Sequence, residues 1–156
     1  VIEKYYSRDL FIPSLKAADK WEVIRQMCDV AAEKRHVTEE FYQSVVERER
    51  LAKTAFGNLV AMPHPYKAQQ GDPFVCVAVL ENPIRWETGQ GTGSEEEVQV
   101  VFLVSLDAGV GDELQKFYDI TSRLMLSPKY IQKLIRHRSF DQLVSSLKQL
   151  DEGDGE

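Results

Sequence analysis

The fold is decided by FVCVAVL, residues 74–80, and by VQVVFLVSL, residues 98–106. Apolar runs of this length are typical of β-strands that are covered on both faces of a sheet. Residues with helical periodicity lie before and after the two runs, and they predict the layers that cover the sheet. We therefore predict an α/β fold, an α/β sandwich with a helix-covered sheet.

The chain before these runs predicts one short strand and two helices. The apolar residues 10–12 end at Pro13, which is typical of a brief edge strand. Asp19 and Thr38 each precede apolar side chains at helical spacing, and both are favourable N-cap residues. We predict that one helix starts after each of them and that the second ends near Arg50.

The chain after the second run predicts three helices. Asp112, Ser127 and Ser139 are the expected N-caps, and Pro128 suits the first helical position. The glycine-rich segment 89–94 leads into glutamates and then into a strand. A dinucleotide-binding loop would open a helix, so we interpret this segment as a solvated loop.

Length and charge limit the organisation of the chain. Its 156 residues fit one domain, which we place at residues 1–150, followed by an acidic tail at 151–156 that we expect to be disordered. The chain begins with Val1 rather than methionine, which suggests a piece of a longer protein. It contains no run of about 18 to 20 apolar residues, so no membrane span is predicted.

The net charge of −6 argues against direct nucleic-acid binding, which depends on a basic surface. Residues 136–138 form a local basic patch, Arg-His-Arg. We interpret this patch as the C-terminus of a helix, where cations are favourable, with nucleic-acid contact as the alternative.

The two cysteines do not have the spacing of a metal site. Cys28 and Cys76 lie far apart in apolar surroundings, and no Cys/His ligand pattern accompanies them. We interpret both as small core side chains of a cytoplasmic protein.

One of the three histidines has the context of a reactive group. His36 and His137 lie beside charged residues at expected helix ends. His64 lies between Pro63 and Pro65, directly after a predicted strand at residues 59–62. Proline fixes the backbone angle φ, so the imidazole would be presented in one orientation at the end of a strand.

The sequence around His64 resembles a known family. Residues 47–51, Glu-Arg-Glu-Arg-Leu, are followed by Thr-Ala-Phe-Gly at 54–57 and Val-Ala-Met-Pro-His-Pro at 60–65. This order and spacing are similar to the signature of the enzyme IIA domain of bacterial sugar phosphotransferase systems, fructose/mannitol type. The resemblance continues through both apolar runs and the last helices, and it implies a mixed β-sheet covered by helices.

The resemblance also implies roles for three residues. His64 would accept a phosphoryl group, because an imidazole nitrogen is both a nucleophile and a leaving group near neutral pH. Arg48 would clamp the phosphoryl oxygens with its planar fork of donors, and the Thr54 hydroxyl would add a donor. A surface ion pair of Arg48 with Glu47 or Glu49 is the structural alternative, and Thr54 could instead bond its own backbone.

The chain departs from the family pattern at one point. Transport members usually carry a second histidine early in the helix after the last buried strand, where this chain has Leu114 next to Asp112 and Glu113. Together with the start at Val1, this departure favours a domain of a sugar-operon antiterminator or activator that senses the phosphorylation state of the transport system. The alternative is a phosphocarrier cut from a fructose/mannitol transporter. An interaction domain with an inert His64 is a further possibility.

The partners implied are the histidine phosphocarrier protein, an enzyme IIB protein or domain, and neighbouring regulatory domains of the parent chain. The resemblance implies a phosphocarrier rather than a stand-alone enzyme, with no cofactor, no metal and no direct contact with nucleic acid or membrane.

Overall fold

The computed structural model describes residues 2–68, 71–86, 96–106 and 112–153. A 3₁₀ turn at Ile2–Tyr5 precedes the first strand. The strands of the described residues are β1 (Tyr6–Leu15), β2 (Ala55–Gly57), β3 (Val60–Ala61), β4 (Phe74–Trp86) and β5 (Glu96–Ser105). The helices are α1 (Lys20–Arg35), α2 (Glu39–Leu51), α3 (Asp112–Leu126), α4 (Pro128–His137) and α5 (Phe140–Asp151).

The strands form one mixed sheet in the order β1-β4-β5-β3-β2. The central pair, β4 and β5, is antiparallel, with Phe74 opposite Ser105 and Trp86 opposite Glu96. Strand β1 lies parallel to β4, β3 lies parallel to β5, and β2 closes the other edge antiparallel to β3. The predicted α/β fold with a helix-covered mixed sheet is therefore confirmed.

Each face of the sheet carries its own hydrophobic core. Along β4, Val75 and Val77 pack on the side of α3, α4 and α5, while Cys76 and Ala78 pack on the side of α1 and α2. Every residue from Phe74 to Leu80 is at most 2% exposed. The all-apolar sequence of this strand follows from burial on both faces, because neither face contacts water.

The strands differ in extent from the sequence prediction. Strand β4 continues to Trp86, with a register shift between Val79 and Ile84 in the stretch that contains Pro83. Proline has no N–H for the ladder, so the pairing is interrupted there and then resumes. The predicted edge strand at residues 10–12 is part of the longer β1, which lies at the sheet edge and includes Pro13.

A tight hairpin connects β2 to β3. Strand β2 lies within the Thr-Ala-Phe-Gly stretch at 54–57, and the turn that follows places Asn58 and Leu59 in the left-handed region at φ 56° and 65°. The Leu59 carbonyl accepts bonds from the backbone N–H groups of Gln99 and Val100, at 2.8 and 3.0 Å. These bonds to β5 offset the strain of a leucine in this conformation.

Three of the predicted N-caps are confirmed. Asp19, Ser127 and Ser139 each accept a hydrogen bond from a backbone N–H in the first turn of the helix that follows. Thr38 occupies the cap position of α2, but its side chain makes no capping bond. The prediction for Asp112 is wrong, because α3 begins at this residue and its charge lies inside the first turn.

The last helix extends into the segment that was predicted to be an acidic tail. Helix α5 extends to Asp151, whose carboxylate pairs with Lys116 at 3.0 Å. The predicted loop at 89–94 and residues 154–156 of the predicted tail lie outside the described residues. Within the described part of the chain, no helix has the length and apolar character that a membrane span requires.

Candidate functional site

His64 lies at the carboxyl end of two parallel neighbours in the sheet, β3 and β5. The register pairs Val60 with Val100 and Ala61 with Val101. Beyond this ladder the Val104 N–H donates to the Pro63 carbonyl at 3.1 Å, so the pairing extends to the residue before the histidine. The position of His64 is therefore set by the sheet itself.

The hydrogen bond of the His64 ring fixes its tautomer. Nδ1 lies 2.9 Å from the carbonyl oxygen of Met62. A carbonyl can only accept, so Nδ1 carries the proton and donates it. In the neutral ring Nε2 is then unprotonated and keeps its lone pair.

The segment after His64 is tied to helix α2 by a buried serine. Ser44 accepts the backbone N–H of Tyr66 at its carbonyl, at 3.0 Å, and the backbone N–H of Lys67 at its hydroxyl, at 3.1 Å. The chain is thus held on both sides of the imidazole. Sequence reasoning missed Ser44, although a serine next to Val45 on the inner face of a helix was a usable signal.

The half-buried imidazole lines an open cavity of about 380 Å³. The wall is mainly apolar and includes residues from the His64 segment, the end of β5 and helix α3. The lining residues are Met62, His64, Pro65, Ala68, Val104, Leu106 and Tyr118. A group attached to the ring would enter a space with largely apolar walls.

Arg48 does not line this cavity. Its Nη1 donates to the Ala52 carbonyl at 2.8 Å, which holds the chain just after α2. Among the described residues Arg48 forms no ion pair, so the structural alternative, a surface pair with Glu47 or Glu49, is not formed. The phosphate-clamping role of Arg48 stays a prediction.

Thr54 is buried and bound to Glu49. Its hydroxyl donates to Oε1 of Glu49 at 2.6 Å, and its backbone N–H donates to Oε2 at 3.0 Å. The alternative in which the Thr54 hydroxyl bonds its own backbone is not what this geometry shows. Because the hydroxyl proton is already engaged, the geometry gives Thr54 a positioning role for the segment that leads to β2.

Glu49 is the centre of this buried network, and sequence reasoning missed it. The residue is 0% exposed, yet its Oε2 also accepts from Nζ of Lys20 at 3.1 Å and from Nε1 of Trp86 at 2.9 Å. A buried carboxylate is tolerated only when it is paired and fully hydrogen-bonded. Here one carboxylate joins α1, α2, β4 and the segment before β2.

The other histidines and the two cysteines lie at helix ends or in the core and do not line the cavity beside His64. His36 and His137 are exposed at the ends of α1 and α4, and residues 136–138 form the helix C-terminus that was expected. Cys28 and Cys76 are buried as predicted, and burial raises the pKa of each thiol to about 12. Both thiols are therefore unreactive at neutral pH.

The start of α3 carries two carboxylates, Asp112 and Glu113. Glu113 pairs with Lys4 at 2.8 Å, which compensates its charge. Further along the same helix, Tyr118 reaches the cavity that His64 lines. The position of Leu114 thus lies one helical turn before a side chain of the cavity wall.

A histidine with one free ring nitrogen, held at the end of an interior strand, is the arrangement expected of a domain that carries a group on an imidazole. The family model described as "Phosphoenolpyruvate-dependent sugar phosphotransferase system, EIIA 2" matches residues 4–150. The chain belongs to this family.

Two curated relatives are similar to the chain but much longer. The "Probable licABCH operon regulator" of Bacillus subtilis is 31% identical over 140 residues, which cover 90% of this chain and 21% of the relative. The "PTS system fructose-specific EIIABC component" of Mycoplasma pneumoniae is 28% identical over 129 residues, which cover 81% of this chain and 18% of the relative. The chain therefore spans about a fifth of the length of these relatives.

Solved structures share the fold. The IIA mannitol protein of Escherichia coli superimposes with a TM-score of 0.72 at 19% identity, covering 90% of this chain and 97% of that one. The complex of enzyme IIAMTL with phosphorylated enzyme IIBMTL, also from Escherichia coli, gives a TM-score of 0.68 at 20% identity and covers 92% and 98%.

We predict that Glu49→Gln lowers the free energy of unfolding by about 3 kcal/mol, because it removes the charge of a buried carboxylate that accepts hydrogen bonds from Lys20, Trp86 and Thr54. Denaturant unfolding measures the loss, and Glu47→Gln, an exposed neighbour in the same helix, is the control that should change stability by less than about 0.5 kcal/mol. The double variant Glu49→Gln/Lys20→Met should recover part of the loss. Equal stabilities of Glu49→Gln and Glu47→Gln would contradict a structural role for the network.

Proposed function

We propose that this chain is a phosphoryl-accepting domain of the sugar phosphotransferase system and that Nε2 of His64 receives the phosphoryl group. The observation that carries the proposal is the 2.9 Å bond from Nδ1 to the Met62 carbonyl, which leaves Nε2 with its lone pair in a ring that lines an open cavity. Membership of the EIIA 2 family supports the same assignment.

The transfer requires no acid or base at the accepting nitrogen. The lone pair of Nε2 forms the new N–P bond while the N–P bond of the phosphorylated donor breaks, and its electron pair returns to the donor ring. The Nδ1 proton stays on the His64 ring and continues to donate to Met62, so the carbonyl dipole stabilises the positive charge that the ring acquires. The remaining catalysis is positioning and electrostatic stabilisation of the phosphoryl oxygens.

The donor in this proposal is the histidine phosphocarrier protein, and the site of action is the cytoplasm. Phosphorylation adds close to two negative charges at the mouth of the apolar cavity. That change would alter the contact of this surface with neighbouring domains of the parent chain or with an enzyme IIB protein.

We place the domain in a regulator that senses the phosphorylation state of the transport system. The similarity to the Bacillus subtilis operon regulator supports this placement. The sequence from Val98 to Ile135 contains no histidine, so the second imidazole of transport members is missing from the helix that follows β5. The alternative is a transporter phosphocarrier that passes the group to enzyme IIB, which the similarity to the EIIABC component supports.

We predict that His64→Ala abolishes acid-labile labelling of the domain by phosphoenolpyruvate, enzyme I and the histidine phosphocarrier protein, since His64 supplies the one imidazole among the described residues that line the cavity. ¹⁵N NMR of the labelled wild-type protein should place phosphorus on Nε2. His36→Ala and His137→Ala, which remove exposed imidazoles, are the controls and should label normally. Label that persists in His64→Ala would move the phosphorylation elsewhere.

We predict that Arg48→Lys reduces the labelling rate roughly 100-fold, because an ammonium keeps the charge but loses the planar fork of donors. Arg50→Lys, in the same turn of α2, is the matched control and should label at the wild-type rate. Denaturant unfolding of Arg48→Lys should show a loss of only about 1 kcal/mol, for the bond to Ala52. An unchanged labelling rate would restrict Arg48 to that structural bond.

Transfer of the phosphoryl group to an enzyme IIB distinguishes a domain of a regulator from a domain of a transporter. We predict that the phosphorylated domain transfers its label to an enzyme IIB of the fructose/mannitol type much more slowly than the domain itself is labelled by the histidine phosphocarrier protein. A phosphorylated transporter IIA domain, which should transfer efficiently under the same conditions, is the positive control. Equally efficient transfer by this chain would contradict its placement in a regulator and would favour its placement in a transporter.

A further inference from the structure

Among the described residues, the cavity beside His64 is lined by one polar side chain besides the imidazole itself. Five of the seven described lining residues have apolar side chains, and the other two are His64 and Tyr118. We propose that Tyr118 is a phosphoryl-binding residue whose phenolic O–H donates a hydrogen bond to an oxygen of the phosphoryl group on His64. This inference rests on the proposed function, since it names a second contact of the same transferred group.

The Tyr118 hydroxyl is available for this role. Among the described residues it takes part in no hydrogen bond, whereas the buried Tyr6 hydroxyl is bonded to Thr121 at 2.8 Å. The Tyr118 side chain is 47% exposed, so water can solvate the hydroxyl until a phosphoryl group arrives. A phenolic O–H bonded to a charged oxygen makes a stronger hydrogen bond than one bonded to a neutral acceptor.

The base of the Tyr118 ring is held by an aromatic cluster. The ring lies edge-on to Phe117, with centroids 5.7 Å apart and an interplanar angle of 68°. Phe117 is 1% exposed and packs against Tyr5 with a centroid distance of 4.5 Å. Because helix α3 is anchored there, Tyr118 is presented at the cavity wall by a fixed backbone.

Two acidic side chains on α3 near Tyr118 are each paired with a cation, so they do not prevent an anion from binding there. Asp119 pairs with Arg123 at 3.2 Å, and Glu113 pairs with Lys4 at 2.8 Å. Both carboxylates therefore have a compensating cation.

The test is Tyr118→Phe, which removes the hydroxyl and keeps the ring. Tyr66→Phe is the matched control, because Tyr66 is 53% exposed and close to His64 in sequence but does not line the cavity. Each protein is labelled with phosphoenolpyruvate, enzyme I and the histidine phosphocarrier protein. We expect Tyr118→Phe to label about 10-fold more slowly than Tyr66→Phe, which should match the wild type.

A second measurement separates phosphoryl binding from partner docking. The ³¹P chemical shift of the phosphorylated domain alone should differ between Tyr118→Phe and the wild type, since the donor protein is absent. A slower labelling rate with an unchanged ³¹P shift would place Tyr118 in docking and overturn the inference, as would identical rates for both variants. Wild-type protein that takes no label would instead overturn the proposed function itself.

Discussion

A carboxylate without access to solvent holds the site-bearing half of this structure together. Glu49 receives four hydrogen bonds, from the Lys20 ammonium, the Trp86 indole, and the backbone and hydroxyl of Thr54. Each bond alone contributes modestly, but a buried carboxylate that lost one partner would carry the full cost of desolvation. The four donors are therefore obliged to stay together, and the end of α2 stays fixed against the sheet.

The position of His64 follows from this constraint through short steps along the chain. Thr54 leads into β2, the hairpin at Asn58 and Leu59 turns the chain into β3, and β3 pairs with β5. The Pro63 carbonyl and Ser44 then hold the chain on either side of the imidazole, and the Met62 carbonyl orients the ring. Every one of these contacts uses a backbone group, so the backbone positions and orients the imidazole.

The features of the fold and of the site that could be predicted are those that depend on residues close together in the sequence. The buried strands, three helix caps and the context of His64 follow from residues that are neighbours in the chain, and these could be predicted. Glu49 could not, because its partners Lys20 and Trp86 lie 29 and 37 residues away and the segment Glu47–Arg50 reads as a charged surface. The short strand β2 exists only because β3 is there to pair with it. Only the packed structure places Tyr118 at the cavity.

The composition of the cavity bears on how it would hold the phosphoryl group that we propose on His64. A site that retains phosphate permanently surrounds it with cations and backbone N–H groups. The lining here contains no lysine or arginine among the described residues, and apart from His64 its polar side chain is a phenol. A carrier must release the group with a free energy close to that of acceptance, because transfer between histidines is reversible. Weak neutral binding in a mainly apolar cavity would meet that requirement for the phosphoryl group that we propose on His64.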